Sequence, residues 1–211
     1  MKYPDRSSFP VGPRGFSLVE LLVVMAIIGL LLAFSTSSFT SLSRSSSLSD
    51  SGRMVVDGLG LARQTAMTKN RRVEVRFYKL SDSPDSAHSS YSAMQLFVVG
   101  ETALQAITPV TSFASPAVIC ETPSASSFFG TTPSPYSSDT TLLWPLPRIG
   151  TQYSYISFYF LPTGETDLDP SKEWFLTLIA ASDRLVANNL PSNYLTVRID
   201  PLSGKATVFR P

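Results

Sequence analysis

Cysteine and histidine are almost absent from this sequence: Cys120 is the only cysteine and His88 the only histidine among 211 residues. A single cysteine cannot form a disulfide within the chain, and a single histidine excludes a metal site built from several histidines. His88 would also be the only histidine base, and neither a G-x-S-x-G nor a P-loop pattern occurs. We therefore expect no enzyme, no metal and no cofactor.

Proline is missing from a long stretch between Pro13 and Pro84, whereas thirteen of the 16 prolines come from Pro84 onward. Proline interrupts helices because it lacks a backbone N–H and its ring clashes with the preceding turn. One long helix is therefore possible before Pro84, and strands and loops are expected after it. Seven prolines lie in the segment 109–147, which we expect to be largely irregular.

The longest apolar run extends from Phe16 to Phe34, nineteen residues in which only Ser17 and Glu20 are strongly polar. At ~1.5 Å per residue, a helix of this length spans roughly the ~30 Å hydrocarbon core of a bilayer. No small-residue cleavage site of the secretory type follows the run. Basic residues precede it, so we predict a membrane span with a cytoplasmic N-terminus and an exported C-terminal part.

The start of this run resembles the type IV prepilin cleavage and methylation motif, which is carried by Gly15-Phe16-Ser17-Leu18-Val19-Glu20-Leu21-Leu22-Val23-Val24. The resemblance implies that a membrane-bound prepilin peptidase cuts between Gly15 and Phe16 and methylates the new N-terminus at Phe16. Residues 1–15 would then be a leader peptide, and residues 16–34 a transmembrane and assembly helix.

Glu20 matches the glutamate at the fifth mature position of that family. A carboxylate in an apolar helix needs a partner, because burying it unpaired is costly. The family resemblance suggests the Phe16 amine of a neighbouring subunit, so that the pair would set the register of staggered helices. The implied partners are other pilins or pseudopilins, which would bind through this N-terminal helix.

Residues 35–70 are expected to continue the helix. Ten of the seventeen residues from Ser35 to Ser51 are serine, a weak helix former, so a partly melted joint or a flexible linker is an alternative there. Helical spacing of apolar and small residues then returns at Leu48, Gly52, Val55, Leu59, Ala62 and Ala66. This stripe predicts a helix that packs against a sheet.

The stretch from Leu61 to Val75 adds a second resemblance, to the helix-to-strand junction of H-type minor pseudopilins and FimT-like pilins. It is also similar to prepilin-like cassette proteins described from Verrucomicrobia. These resemblances imply an α+β pilin-like fold, in which a long N-terminal helix packs against an antiparallel sheet or a small β-sandwich.

Residues 71–211 are predicted to form an exported β-rich domain. Apolar Val73, Val75 and Phe77 alternate with polar residues, which predicts a half-buried strand. A hairpin is expected around Gly100-Glu101, and a loop over Ser81 to Ser92. Further strands are expected over Tyr155–Leu161, Trp174–Ala180, Leu195–Ile199 and Ala206–Phe209, the last two joined by the turn Pro201-Leu202-Ser203-Gly204.

Two groups of charged residues are candidate binding sites. Glu165, Asp167, Asp169 and Glu173 form an acidic cluster that lacks the pattern of a calcium loop and is expected to be solvated. A basic stretch comprises Lys69, Arg71, Arg72, Arg76 and Lys79, with Arg198, Lys205 and Arg210 in the last hairpin. FimT-like pilins include DNA binders, but the formal net charge here is only +1.

The sequence thus predicts a minor pilin or pseudopilin, a structural subunit of a type II secretion pseudopilus or a type IV pilus. It would be a single-pass protein of the inner membrane, with its C-terminal domain in the periplasm before it enters the fibre. Two alternatives are a DNA-binding minor pilin for DNA uptake and a membrane-anchored surface protein that does not polymerise.

Overall fold

The computed structural model describes residues 15–81, 89–129, 136–137, 144–146, 150, 153–185 and 190–211, without the side chains of residues 33–42, 136–137, 184 and 185. The predicted leader peptide, except Gly15, lies outside the described residues. So do His88 and most of the second half of the proline-rich segment.

A single helix, α1, extends from Leu18 to Lys69 over 52 residues, as the absence of proline allows. The next residue, Asn70, has a φ of 50°, in the left-handed region that terminates helices. The Arg71 N–H then donates to the Ala66 carbonyl at 3.2 Å, which satisfies a carbonyl that the helix end leaves free.

The chain divides into two compact units, Met1–Leu42 and Ser43–Pro211. In the described part of the first unit, the apolar side chains of α1 are exposed. The sequence predicts a membrane span over residues 16–34; no helix among the described residues is both long and apolar enough to cross a membrane. The second unit contains the rest of α1 and all the strands.

The predicted α+β class is confirmed, with an N-terminal helix packed against a large antiparallel sheet. The strands are β1 (Val73–Ser81), β2 (Ser89–Val99), β3 (Leu104–Ala106), β4 (Thr111–Ser112), β5 (Ala117–Ile119), β6 (Tyr136–Ser137), β7 (Ser154–Phe160), β8 (Trp174–Ala180), β9 (Leu195–Ile199) and β10 (Ala206–Phe209). Within the described residues they form one sheet in the order β10-β9-β8-β5-β2-β1-β7-β6, and β3 and β4 also pair with β2. β2 begins at Ser89, inside the stretch predicted to be a loop.

The core lies between α1 and one face of the sheet. The predicted stripe on the helix is confirmed: its apolar members Leu48, Val55, Leu59, Ala62 and Ala66 are all buried in the main core cluster. Glycine on this face lets the sheet come close, because a Cβ at Gly52 would lie 2.7 Å from the Leu195 side chain.

The serine-rich segment from Ser35 to Ser51 lies within α1, so it is helical and not a flexible linker. Two of its serines face the sheet side of the domain and are buried. The Ser47 hydroxyl donates to the Ser115 carbonyl at 2.9 Å, and the Ser51 hydroxyl accepts the Ala114 N–H at 3.0 Å. Hydrogen bonds to a neighbouring loop therefore offset the weak helix propensity of serine.

Beyond the end of β5, serine hydroxyls accept the hydrogen bonds of β8 that a neighbouring strand would otherwise accept. β5 pairs with β8 over only three residues, Ala117 to Ile119. Farther along β8, the Ser126 hydroxyl accepts the Thr177 N–H at 3.0 Å and the Ser127 hydroxyl accepts the Phe175 N–H at 2.9 Å. These two serines satisfy backbone donors that would otherwise lack partners.

Candidate processing and assembly site

The predicted cleavage position lies just before α1. Gly15, Phe16 and Ser17 have no regular secondary structure, and α1 begins at Leu18. Phe16 is 77% exposed. A Cβ at Gly15 would contact nothing within 4 Å, so nothing in the described fold requires glycine there. The backbone at this position is therefore outside the helix and accessible.

Glu20 caps the start of its own helix. Its Oε2 atom accepts the Ser17 N–H at 3.1 Å and the Ser17 hydroxyl at 3.2 Å, and the Glu20 N–H donates to Ser17 Oγ at 3.2 Å. The Ser17 carbonyl accepts the Leu21 N–H at 3.2 Å, which makes Ser17 the N-cap. This reciprocal pair is a capping box, in which two otherwise free backbone donors are satisfied.

The sequence interpretation missed the role of Ser17. The signal was present, because Ser17-Leu18-Val19-Glu20 fits the Ser-x-x-Glu pattern of a capping box before an apolar run. In sequence, Glu20 stands as a lone carboxylate in an apolar segment. The structure gives it a neighbour on its own chain, and Glu20 Oε1 has no partner among the described residues.

The first part of α1, around and after Glu20, presents apolar side chains on all sides. The exposed ones are Leu18, Val19, Leu21, Leu22, Val23, Val24, Met25, Ile27, Ile28, Leu30, Leu31 and Leu32. An exposed apolar surface of this extent marks a contact with a membrane or with other polypeptides. The described part of the first unit therefore has no core of its own.

Most cations of the predicted basic stretch already have anionic partners. Arg71 pairs with Glu101, Lys79 with Glu121 and Arg198 with Glu173, at 2.7, 2.6 and 3.0 Å. Arg72 lies 3.9 Å from Asp167 and its guanidinium carbon is 4.4 Å from the centre of the Tyr159 ring. Arg210 donates to Ser45, Ser49 and Asn193. Pairing of this kind reduces the positive charge available to phosphates, which weighs against DNA binding.

Arg76 is buried, contrary to its expected place on the open face of a half-buried strand. Its guanidinium donates to both carboxylate oxygens of Glu74, at 2.8 and 2.9 Å. The same group lies 4.6 Å from the centre of the Phe97 ring and 4.5 Å from that of Tyr155. A second core cluster containing Tyr78, Tyr155 and Leu146 covers this face of the sheet. Both faces of β1 are therefore buried, and Arg76 cannot reach a nucleic acid.

The predicted acidic cluster does not converge on one point. Asp167 accepts the Tyr159 N–H at 2.7 Å, Asp169 accepts the N–H and hydroxyl of Ser171, and Glu173 pairs with Arg198. Among the described residues, no group of histidine, cysteine and acidic side chains could hold a metal ion. These carboxylates instead fix loop and strand geometry.

Two aspartates of the β-rich unit, Asp167 of the acidic cluster and Asp200 of the last hairpin, have pKa values shifted in opposite directions. Burial raises the pKa of Asp167 above 3.8, although the Tyr159 N–H and Arg72 counteract the rise. Hydrogen bonds from Ser203 lower the pKa of Asp200 below 3.8. Burial also raises the pKa of the Tyr78 phenol, whose hydroxyl donates to Gln95 at 2.9 Å.

Comparison with known proteins places a recognised motif at this site. Residues 12–36 match the family model of the prokaryotic N-terminal methylation motif. No curated protein matches the sequence.

Among solved structures, the minor pseudopilin EpsH from the type 2 secretion system of Vibrio cholerae is similar with a TM-score of 0.43 and 11% identity, over 78% of this chain and 97% of that chain. The type IV minor pilin FimU of Pseudomonas aeruginosa PAO1 is similar with a TM-score of 0.42 and 10% identity, over 78% of this chain and 92% of that chain. The chain thus carries the prokaryotic N-terminal methylation motif at residues 12–36, and in this segment it is similar to type IV prepilins.

Proposed function

We propose that the chain is a minor pilin or pseudopilin, a structural subunit of a type II secretion pseudopilus or a type IV pilus. The observation that carries this proposal is the methylation motif at residues 12–36, which overlaps the exposed start of a helix with an apolar surface. The folded second unit supports it, because it gives such a subunit a rigid head. The chain itself needs no catalytic group for this role.

The first step of its maturation is hydrolysis of the Gly15–Phe16 bond by a prepilin peptidase, followed by methylation of the Phe16 amine. A protease needs a segment that can leave helical structure and enter its active site. Gly15 and Phe16 lie outside α1 and are exposed, which supports this role. Cleavage there leaves α1 whole, so the product keeps its apolar helix.

Glu20 serves two purposes in this proposal. Its Oε2 atom caps α1, whereas Oε1 has no partner among the described residues and is free to accept the Phe16 amine of a neighbouring subunit. Among packed apolar helices, an amine and a carboxylate stabilise the assembly only when they are in direct contact, because either charge left unpaired there is costly. The contact would therefore select one axial stagger between subunits.

The apolar surface of α1 anchors the chain in the inner membrane before assembly, with the N-terminus in the cytoplasm and the β-rich unit in the periplasm. Moving this surface from lipid to a bundle of similar helices keeps it away from water throughout. This supports a fibre in which the N-terminal helices form the interior.

The processing step can be tested by mass spectrometry of the intact chain, expressed with and without a prepilin peptidase. We expect a product that begins at methylated Phe16 only when the peptidase is present. Gly15→Val should block cleavage without affecting the fold, because a Cβ at Gly15 meets no atom within 4 Å. A chain that keeps Met1 in cells with an active peptidase would contradict the proposal.

The role of Glu20 can be separated from helix capping by a matched pair of variants. Ser17→Ala removes the cap hydroxyl but keeps the carboxylate, whereas Glu20→Ala removes the carboxylate. If Glu20 forms the contact between subunits, Glu20→Ala should lower incorporation into fibres much more than Ser17→Ala does, with cleavage intact in both. Equal incorporation of the two variants would leave capping as the only role of Glu20.

A further inference from the structure

The last strand, β10, forms an open edge of the sheet. Within the described residues it pairs with β9 alone. Val208 is 42% exposed and Phe209 50% exposed, so both side chains remain partly open to solvent. Proteins commonly block such edges with proline, bulges or covering loops, because unpaired backbone groups can bind another strand.

The register of the last hairpin shows which backbone groups of β10 face outward. The Asp200 N–H donates to the Lys205 carbonyl at 3.0 Å, and Thr207 lies opposite Arg198 in the same register. Hydrogen-bonded and non-hydrogen-bonded pairs alternate along an antiparallel ladder. Thr207 and Phe209 therefore bond to β9, and the N–H and C=O groups of Ala206 and Val208 point away from the sheet.

A groove of about 320 Å³ lies beside this edge, between α1 and the start of β10. It is lined by Val56, Gly60, Arg63, Ser203, Gly204, Lys205 and Ala206. A Cβ at Gly60 would contact nothing within 4 Å, so the helix side of the groove is open. A strand added to β10 would point every second side chain toward the groove.

Two cations of the groove have no anionic partner among the described residues. Arg63 donates through Nε to the Gly164 carbonyl at 3.2 Å, and its terminal nitrogens have no acceptor among the described residues. The Lys205 ammonium group likewise has no described partner, unlike the cations of Arg71, Lys79 and Arg198. Arg63 and Lys205 thus provide positive charge that a carboxylate would complement.

We propose that the β10 edge and this groove bind an extended segment of a partner protein, which adds as a strand beside Ala206 and Val208. The segment carries an Asp or Glu side chain that binds Arg63 and Lys205. A second copy of β10 does not meet this requirement, because the stretch Lys205-Ala206-Thr207-Val208-Phe209-Arg210 is basic at both ends and contains no acid. The inference is independent of fibre assembly through α1.

The test is a selection of displayed octapeptides on the full-length chain held in detergent micelles. The library fixes one glutamate and varies the other positions. We expect enriched peptides to avoid proline at alternate positions, since the added strand must donate N–H groups to the Ala206 and Val208 carbonyls. An enriched peptide, labelled with fluorescein, should bind saturably in a fluorescence anisotropy titration.

Two variants identify the surface that binds. Val208→Pro removes an N–H that points outward and breaks no hydrogen bond to β9, so the edge strand should tolerate the proline. The variant should weaken peptide binding at least tenfold. Val208→Ala is its control, because it shortens the side chain and keeps the N–H. Circular dichroism verifies that each variant is folded.

A charge exchange gives evidence that does not depend on the proline variant. Lys205→Glu should weaken binding of the glutamate peptide at least fivefold, and replacing the peptide glutamate by lysine should restore it. Lys172→Glu, on an exposed loop outside the groove, should leave binding unchanged. Absence of any enriched peptide, or equal binding to wild type and a folded Val208→Pro chain, would overturn the proposal.

Discussion

Arg76 and Glu74 form an ion pair two residues apart on the same strand, with side chains only 1% and 2% exposed. Both oxygens of the carboxylate accept from the guanidinium, and aromatic rings lie over the cation. Such a pair is held in low dielectric, where either ion alone would be severely destabilised.

Removing one partner of this pair should therefore be far more harmful than removing both. We expect Glu74→Gln or Arg76→Met to lower the free energy of unfolding by about 3–5 kcal/mol, and the double variant to lose much less than the sum. Urea unfolding of all four chains, followed by tryptophan fluorescence, gives the coupling. Additive losses would show that the two charges do not depend on each other.

Ser126 should be important for stability although it belongs to no strand. Ser126→Ala leaves the buried Thr177 N–H without an acceptor, which should lower the free energy of unfolding by about 1–3 kcal/mol. Hydrogen exchange at the Thr177 amide should accelerate. Ser171→Ala, in an exposed turn, is the control and should change stability by less than about 0.5 kcal/mol. A similar small change for Ser126→Ala would mean that another group replaces the hydroxyl.

Two glycines should respond to alanine with opposite signs. Gly204 has a φ of 65°, and a Cβ there would lie 2.1 Å from the Gly164 carbonyl oxygen. Gly204→Ala should destabilise the domain by about 3 kcal/mol or more, through strain and overlap. Gly60 lies in α1 with open space around it, so Gly60→Ala should stabilise the domain by about 0.5–1 kcal/mol. Thermal unfolding measures both, and equal effects would contradict this interpretation.

The opposite pKa shifts of Asp167 and Asp200 should give opposite pH dependences. The raised pKa of Asp167 means that its contribution to stability is present below pH 3.8 and is lost as pH rises through the pKa of the folded state. The lowered pKa of Asp200 means that its contribution is present above pH 3.8 and is lost as pH falls. As pH rises, the free energy of unfolding of the wild type should therefore fall relative to that of Asp167→Asn. Over the same range it should rise relative to that of Asp200→Asn. Urea titrations across this range measure both differences, and slopes of the same sign would refute the assignment.

The strands at the end of the chain could be predicted closely from sequence. β8 and β10 occupy the predicted ranges, and the hairpin turn contains Pro201 and Gly204 as expected. Alternation of apolar and polar residues, with turn residues between the runs, is enough to define strands of this kind.

The second face of β1 could not be predicted from the same alternation. Polar residues at positions 74 and 76 normally indicate a solvated face, but here Glu74 pairs with Arg76, and a second core cluster that includes Tyr78 and Leu146 lies on this face. Alternation reports polarity along one strand, whereas burial depends on a segment seventy residues away. The roles of Ser126 and Ser127 were hidden for the same reason, since their partners lie on β8.

The contacts of Arg210 have a consequence for the order of folding. Arg210 donates to Ser49 and to Ser45, residues that precede it by 161 and 165 positions. The serine-rich part of α1 thus acquires these partners only after the whole β-rich domain has been synthesised. Until then, that part of the helix lacks one of its lateral supports, so a chain shortened before Arg210 would expose it to proteases even if the sheet were complete.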